Sequence, residues 1–485
     1  MKNSSENKPW AVLGAGPAGL TAAYELVKNG KPVMLFEERD FLGGASATQY
    51  KDGFAYDFGP HAYHIKGTDI DSLIEKFAET PLKRKSINQK LIIEDKVISY
   101  PLRFWELMES IHPIRSLRIV FDYAVSNFLY TFINLKEDSF EAWGMKNFGY
   151  SLYNLCFGQY SKRTWGISPT LLSKTLATSK LHKLNLWDII LKLLGFAGQE
   201  QATHWNKFYY PEKGIGHVWE NMSKEIIKLG GIIHTNSPIA GWTVKNGRAQ
   251  TITAINSGEE KTYPVEKIIC TMPLGKLALM LNGEREERFK ELGQTLKYVS
   301  LITVNMIFDT DQCQKSHWVY LVDPRFRFNR ITEQKNLGSE CAPQGKTTVT
   351  LELTYYEEDD PMQFAADDFL ERIALKEIDK ICEVIPSIHR ESYLGCQILR
   401  MQNAYPMYTI GFENILDELV GEYAKIQNML LTGRHGLFLN SDMHDTMEMS
   451  KKAANYLMDN HPSTAQWYEM SKEYVNFKVS KVEGN

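Results

Sequence analysis

The 485-residue sequence lacks the features of disulfide-rich, zinc-binding, membrane-spanning and nucleic-acid-binding proteins. Its six cysteines are far apart and form no Cys-x-x-Cys pair, so neither a zinc ribbon nor a disulfide framework is indicated. No run of roughly eighteen consecutive apolar residues occurs, and a spanning helix is therefore not expected. The net charge of -4 provides no basic excess for nucleic acid.

The sequence also has no internal repeat and no low-complexity tract. Residues 1–8 are polar and lack the apolar core of a signal peptide, and the cysteine usage fits a reducing compartment, so we expect a cytoplasmic protein without a bound metal. A chain of this length is too long for one small core and predicts several lobes.

The first forty residues carry the pattern of a dinucleotide-binding turn. An apolar strand ends before Gly14, a helix follows Gly19, and a second strand ends at Glu37. Glycines at these positions allow a tight turn, close approach of a pyrophosphate and close helix packing, while an acidic residue after the second strand can bind ribose hydroxyls. The helix N-terminus offers free N–H groups to phosphates. The residues predicted to bind the nucleotide here are Gly14, Gly16, Pro17, Ala18, Gly19, Glu37 and Glu38.

Two further motifs follow the second strand: a glycine cluster at 43–46 and the turn Gly-Pro-His-Ala-Tyr-His at 59–64. This arrangement resembles the flavoproteins with two dinucleotide-binding domains, which include the amine oxidases, protoporphyrinogen oxidase and UDP-galactopyranose mutase, and it is close to the mutase-like branch. In these families the glycine pair lies along FAD and the Gly-Pro-His turn lies beside the isoalloxazine. The resemblance implies FAD as cofactor, bound by Gly43, Gly44, Ala45, Ser46, Gly59, Pro60 and His61.

The C-terminal region completes the resemblance. A predicted strand ends at Gly433 and Arg434, and Asp442 and Met443 open a helix. The amide end of this helix can stabilise negative charge on the N1–C2 side of a reduced flavin. The resemblance also implies that Ile239, at the end of a middle strand, contacts the adenine through backbone groups.

Three residues are candidates for catalysis. His61 is expected at the N5 edge of the flavin, whereas His64 can equally be satisfied by backbone in a packed turn. Arg330 falls at the position of a diphosphate-binding arginine of the mutases; the alternative is an exposed Arg–Glu pair on a strand.

The candidate substrate residues rest on the same resemblance, with two departures. An aromatic-rich helix followed by a basic Trp-Gly turn is similar to a mutase segment, although its aromatic spacing also fits simple packing. The mutases carry a further arginine after this turn, where only Lys180 could replace it here, and a tyrosine where this sequence has Asn440. The candidates are Tyr160, Trp165, Lys180, Arg330, Tyr405 and Asn440.

The resemblance implies an α/β fold with a Rossmann-like FAD-binding domain, an inserted helical domain and an antiparallel substrate sheet. We expect FAD-binding segments at 1–100, 208–292 and 411–485, a helical insert at 101–207 and the sheet at 293–410. The insert contains two apolar helices, 117–135 and 186–196, which could lie on a membrane surface or pack on each other as a lid; we favour the lid.

The leading hypothesis is an FAD-dependent oxidoreductase that removes hydride at flavin N5 from a small, sugar-like or lipid-like substrate. The alternative is a flavin-dependent nucleotide-sugar mutase without net redox change. A non-catalytic binding protein of the GDP-dissociation-inhibitor type is disfavoured, because the pyrophosphate motif is intact. No nucleic-acid partner is expected, and the oligomeric state is open.

Overall fold

A parallel sheet of short strands forms the centre of the nucleotide-binding part. The computed structural model describes residues 8–80, 84–102, 104–133, 135–180, 207–356, 360–459 and 463–475. Every strand pair in this sheet is parallel, and four of its strands are continuous, mostly buried apolar runs, as is typical of sheets covered on both faces; the edge strand that ends at His234 is partly exposed. The order across the sheet is Met429–Leu431, Ile268–Cys270, Trp10–Leu13, Val33–Phe36 and Ile232–His234.

Two helices from opposite ends of the chain pack against each other on this sheet, Pro17–Lys28 and Met443–Met458. The first helix approaches the sheet closely because it contains Gly19. A Cβ atom at this position would lie 1.8 Å from the carbonyl oxygen of Gly14. The glycine is therefore required by packing.

A seven-stranded sheet forms the second layer and confirms the predicted antiparallel sheet, whose role in binding substrate stays a prediction. It is antiparallel except where Trp318 pairs in parallel register with Gln89. This pairing places the hairpin at 89–100 in the second sheet, whereas we expected it in the nucleotide-binding segment. Its strands, in spatial order, are Tyr393–Pro406, Tyr298–Phe308, Thr347–Tyr356, Arg330–Glu333, Trp318–Leu321, Gln89–Ile93 and Lys96–Tyr100.

Smaller sheets connect these layers. The predicted hairpin turn at Asn246 and Gly247 is confirmed, since both residues have positive φ, as a two-residue type I′ turn requires. The strands of this four-stranded sheet are Glu259–Pro264, Arg248–Asn256, Ile239–Lys245 and Leu281–Gly283. Two-stranded sheets pair Thr48–Lys51 with Phe54–Asp57 and Lys85–Ser86 with Lys207–Phe208.

The described part of the insert is helical. A π-helical turn, Asn154–Gly158, lies between two of its helices. At Gly149 the backbone has φ 73°, and a Cβ atom there would lie 2.6 Å from the backbone nitrogen of Tyr123, so two insert helices approach closely. The predicted apolar helix at 186–196 lies outside the described residues. The insert helices are Phe104–Ser110, Pro113–Phe132, Phe140–Tyr153, Gln159–Trp165 and Lys174–Lys180.

The remaining α-helices surround the sheets. None of the helices in the described ranges combines the length and apolarity needed to cross a bilayer. The short loop expected after Gly433 is in part a single helical turn. The remaining helices are Asp69–Ala78, Gly216–Lys228, Leu274–Leu279, Glu286–Gly293, Gln334–Leu337, Asp367–Val384, Phe412–Tyr423, Gly433–Gly436 and Thr464–Val475.

Candidate active site

A cavity of 1610 Å³ lies at the carboxyl ends of the parallel strands. Gly14, Glu37, Thr271 and Arg434 follow four of these strands and all line it. Ligands of open α/β sheets bind at this edge. Because the cavity exceeds the roughly 300–1,000 Å³ of a drug-sized ligand site, it has room for a dinucleotide and a second molecule.

Most of the residues singled out from the sequence line this one cavity. Three glycines and two aromatic residues do not: Gly19, Gly43, Gly433, Tyr160 and Trp165. The side chain of Lys180 lies outside the described residues. The residues that line the cavity are Gly14, Gly16, Pro17, Ala18, Glu37, Glu38, Gly44, Ala45, Ser46, Gly59, Pro60, His61, His64, Ile239, Arg330, Tyr405, Arg434, Asn440, Asp442 and Met443.

The glycines outside the cavity lining are explained by packing. A Cβ atom on Gly43 would lie 2.5 Å from the indole of Trp219, and one on Gly433 would lie 2.6 Å from the Cβ of Ala18. Both residues also have positive φ. They shape the backbone around the cavity and present no surface to its contents.

The nucleotide end of the cavity is formed by bare backbone. Gly16 is the N-cap of the helix Pro17–Lys28, and the first turn of this helix has no acidic residue. A Cβ atom on Gly44 would come within 3.1 Å of the Cα of Gly16. The two glycines therefore bring two backbone segments together beside a helix N-terminus, where N–H groups can bind phosphate.

Glu37 holds the turn in place. Its carboxylate accepts hydrogen bonds from the backbone N–H of Ala15 at 2.8 Å and of Arg39 at 3.1 Å. Burial raises the pKa of this carboxyl, and the two amides oppose the shift. Each carboxylate oxygen can accept a further hydrogen bond. A ribose could therefore bind without displacing the amides.

A second helix N-terminus opens into the same cavity from the C-terminal part of the chain. Asp442 is the N-cap of the helix Met443–Met458, and its side chain makes no capping hydrogen bond. Its first turn contains Asp445, whose charge is balanced by an ion pair with Lys66. The amide end of this helix is thus available to a ligand with negative charge.

His61 lies in the wall of the cavity as a neutral imidazole. Burial lowers its pKa to about 3, and the guanidinium groups of Arg330 and Arg434 add to the shift. At neutral pH this side chain therefore acts as a hydrogen-bonding and packing group without charge.

His64 belongs to a network that ties the loop at 59–68 to the C-terminal helix. Burial lowers the pKa of His64, and the nearby carboxylate of Asp442 opposes the shift. Lys66 forms an ion pair with Asp445. Thr68 and His444 share a hydrogen bond of 2.7 Å. These contacts fix the two motifs relative to each other.

Arg330 forms a buried ion pair. Its Nε and Nη2 donate to the two carboxylate oxygens of Glu352 at 2.6 and 2.7 Å. The guanidinium also lies 5.7 Å from the ring centroid of Tyr320. The predicted alternative, an exposed Arg–Glu pair, is right about the pairing and wrong about the exposure, since the side chain of Arg330 is 18% and that of Glu352 is 5% exposed.

An apolar compartment adjoins Arg330. It was not predicted from the sequence, although Tyr320 is the register partner of Arg330 and could have indicated it. The buried Nε1 of Trp318 has no hydrogen-bond partner in the described part of the chain and offers one donor. The aromatic and aliphatic side chains of this compartment are Ile87, Tyr100, Leu102, Phe148, Phe157, Trp318 and Tyr320.

The basic Trp-Gly turn predicted to bind substrate is held by internal contacts. Arg163 donates to the carbonyl groups of Leu321, Asp323 and Phe326 and to the amide oxygen of Asn329. These bonds use its guanidinium to hold the loop before Arg330.

The two aromatic candidates in this segment lie behind the cavity wall. Tyr160 packs edge-on against Tyr320 at 6.3 Å, and Trp165 packs edge-on against Tyr405 at 6.4 Å. Since Tyr320 and Tyr405 both line the cavity, the two candidates support residues that could contact substrate.

Comparisons with known proteins match this architecture. The family model described as flavin containing amine oxidoreductase matches residues 17–458. The crystal structure of a reduced UDP-galactopyranose mutase superposes with a TM-score of 0.80 at 17% identity, covering 98% of this chain and 100% of that one. An engineered putrescine oxidase superposes with a TM-score of 0.61 at 14% identity, covering 94% and 99%. At these identities the likeness concerns the fold.

Curated relatives match over shorter stretches. A Klebsiella pneumoniae protein named "Probable UDP-galactopyranose mutase" is 22% identical over 178 residues, 35% of this chain and 44% of the relative. The 4,4'-diapophytoene desaturase (4,4'-diapolycopene-forming) of Methylomonas sp. is 24% identical over 275 residues, 51% of each chain. The chain thus spans about half the length of either relative.

Proposed function

The chain belongs to the flavin-containing amine oxidoreductases, and on this premise we propose that it is an FAD-dependent oxidoreductase that removes hydride from an apolar substrate. As a member of the family it is a flavin-dependent enzyme. The proposal goes beyond family membership in three respects: that the flavin is FAD, that the reaction is a net oxidation, and that the substrate is apolar.

The shape of the cavity supports FAD. The contact between Gly16 and Gly44 leaves no side chain where a pyrophosphate would pass, and Glu37 could bind the ribose. The N-terminus at Asp442 would face the N1–C2 side of the isoalloxazine, with Gly59, Pro60 and His61 on the other side. The backbone of Ile239 would contact the adenine.

Bound FAD supplies the hydride acceptor, and the chain's own residues bind and orient the substrate. The aromatic compartment excludes water from the C–H bond that reacts. His61, which is neutral because of its depressed pKa, donates or accepts a hydrogen bond beside this bond. Trp318 offers its indole N–H to a polar atom of the substrate.

One observation carries the choice of an apolar substrate: the arginine at the substrate end is already neutralised. Glu352 takes two of the five N–H donors of Arg330 and balances its charge, and the compartment beside this pair is lined by aromatic and aliphatic side chains. A diphosphate there would therefore meet a neutral ion pair and would lack the attraction of an unpaired arginine.

Anaerobic reduction of the flavin tests the proposal. Purified protein is mixed with 4,4'-diapophytoene or a long-chain fatty acid in detergent, and the oxidised-flavin absorption is followed. We expect bleaching with an apolar substrate, slowed at least about tenfold by Phe157→Asn, which places an amide in the compartment. The control is Phe364→Asn, at an exposed position outside the cavity. Bleaching that is equal in both variants would contradict the assignment of the compartment.

The nucleotide-sugar mutase remains the second candidate. It is favoured by the superposition on the reduced mutase and by Arg434, whose buried Nε has no hydrogen-bond partner in the described ranges and could face an anion. A mutase would need reduced flavin at the start and would return it unchanged. Conversion of UDP-galactopyranose to the furanose form by the dithionite-reduced enzyme, without bleaching by apolar substrates, would establish it.

The flavin content of the purified protein tests the cofactor separately. Protein that is purified without colour and takes up no flavin on reconstitution would contradict FAD as the cofactor. We expect about one FAD per chain after acid release and chromatography.

A further inference from the structure

We propose that the helix Pro113–Phe132 docks the protein on the surface of an anionic lipid bilayer, which is the alternative to the lid favoured from the sequence. Its apolar side chains recur at positions 114, 117, 121, 125, 128 and 132, which lie within one stripe of an α-helix. Each of these six side chains is between 39% and 74% exposed. The stripe runs over eighteen residue steps, which is about 27 Å along the helix.

The helix is covered on another side, where it packs on the helix Phe140–Tyr153, although Val120 beside the stripe is also 49% exposed. Ile119 is 3% exposed. The backbone at Tyr123 lies so close to Gly149 that no Cβ atom would fit between them. The helix is therefore fixed to the helix Phe140–Tyr153 and presents the stripe outward as a rigid surface.

Charge on this helix complements anionic lipid. Arg115 and Arg118 lie near one end of the stripe, and their side chains are 63% and 66% exposed. Arg115 pairs with Glu94, and Arg118 lies 3.6 Å from Asp122, the one acidic residue of the helix, which is only 20% exposed. Interfacial helices combine such an apolar face with arginines that reach lipid phosphates.

A second copy of the chain fits this surface less well. In a symmetric dimer the stripe would meet itself, and residues 113–132 offer no exposed carboxylate to the partner's Arg118. A lipid bilayer fits both parts of this surface, because its apolar layer can take up the stripe while its phosphates contact the arginines. The helix lies in the interface plane in this arrangement.

Of the described helices, only Phe140–Tyr153 separates this helix from the apolar compartment. Phe148, on the helix against which it packs, lines the cavity. Docking would therefore place the substrate end of the cavity near the lipid from which an apolar molecule is drawn. The docking itself does not depend on the redox reaction.

Flotation of flavin-loaded full-length protein with vesicles tests this proposal. Vesicles of phosphatidylglycerol and phosphatidylcholine are compared with phosphatidylcholine alone. We expect flotation with the anionic vesicles, weakened by salt, and a partition coefficient reduced at least about a hundredfold in the variant L117Q/F121Q/F128Q. The matched control is L171Q/F364Q/L394Q, which changes three apolar side chains at least 53% exposed elsewhere.

Three outcomes would overturn the proposal: wild type that floats with neither vesicle, equal flotation of the two triple variants, or a dimer in light scattering that only the first variant dissociates without any vesicle binding. Flavin content and thermal unfolding of the variants show whether they are folded. Flotation is independent of the substrate, so a wrong assignment of the reaction would leave this result unchanged.

Discussion

Replacing Gly16 by alanine separates cofactor binding from folding. Gly16 has φ -74° and ψ -176°, which alanine adopts without strain, and the nearest atom to its Cβ would be the Cα of Gly44 at 3.8 Å. The apoprotein should therefore keep its stability or gain about 0.4–1 kcal/mol from the reduced entropy of the unfolded chain. The added methyl group instead occupies the space through which a pyrophosphate would pass.

The expected loss of flavin affinity follows from overpacking. A methyl group inserted into a close contact costs about 1–3 kcal/mol, which is about a 5- to 150-fold rise in Kd. Apoprotein is titrated with FAD by flavin fluorescence quenching, and thermal unfolding is measured in parallel. Gly421→Ala is the matched control, because Gly421 also has an ordinary φ and nothing within 4 Å. Wild-type FAD affinity in G16A would refute the path of the pyrophosphate, and an unfolded G16A would refute the backbone reasoning.

Three further predictions concern folding and pH. Gly19→Ala places a Cβ atom 1.8 Å from the backbone of Gly14, so we expect little soluble protein, measured by yield and circular dichroism; a stable variant would show that the close helix contact is wrong. Arg163→Met removes a donor from three carbonyl groups, of which that of Asp323 keeps the backbone N–H of Phe326. It should lower the free energy of unfolding by several kcal/mol, at about 1–3 kcal/mol for each acceptor left unsatisfied, while FAD affinity of the folded fraction is unchanged; weaker FAD binding would indicate a direct role. Burial raises the pKa of Asp57 to about 6, so the folded state binds a proton that the unfolded state has lost, and stability should fall by about 3 kcal/mol as pH rises from about 4 to 6. Asp57→Asn should remove this slope in urea unfolding, and an unchanged slope would assign it to another group.

The nucleotide-binding motifs could be predicted because they are local. The strand before Gly14, the helix after it and the acidic residue at 37 follow from periodicity and spacing alone, and the structure contains each of them. The helix that starts at Met443 could be predicted in the same way. That both ends meet in one cavity came from the family resemblance, since no local pattern in the sequence relates residues so far apart.

The substrate end could not be predicted in the same way, because strand register determines it. Glu352 lies opposite Arg330 on the neighbouring antiparallel strand, and no sequence pattern near either residue indicates this pair. The hairpin at 89–100 joins the second sheet through a parallel pairing with Trp318, which is remote in the chain. For Tyr160 and Trp165, helical spacing is the same for packing and for binding, so the sequence left both open.

The two helix N-termini in the cavity have a consequence for how the protein is made. They are far apart in the chain, so a nascent chain has only one of the two until Met443 and the helix after it have been synthesised. A chain that stops before this helix should therefore bind flavin only weakly, because one of its two anion-binding helix ends is missing.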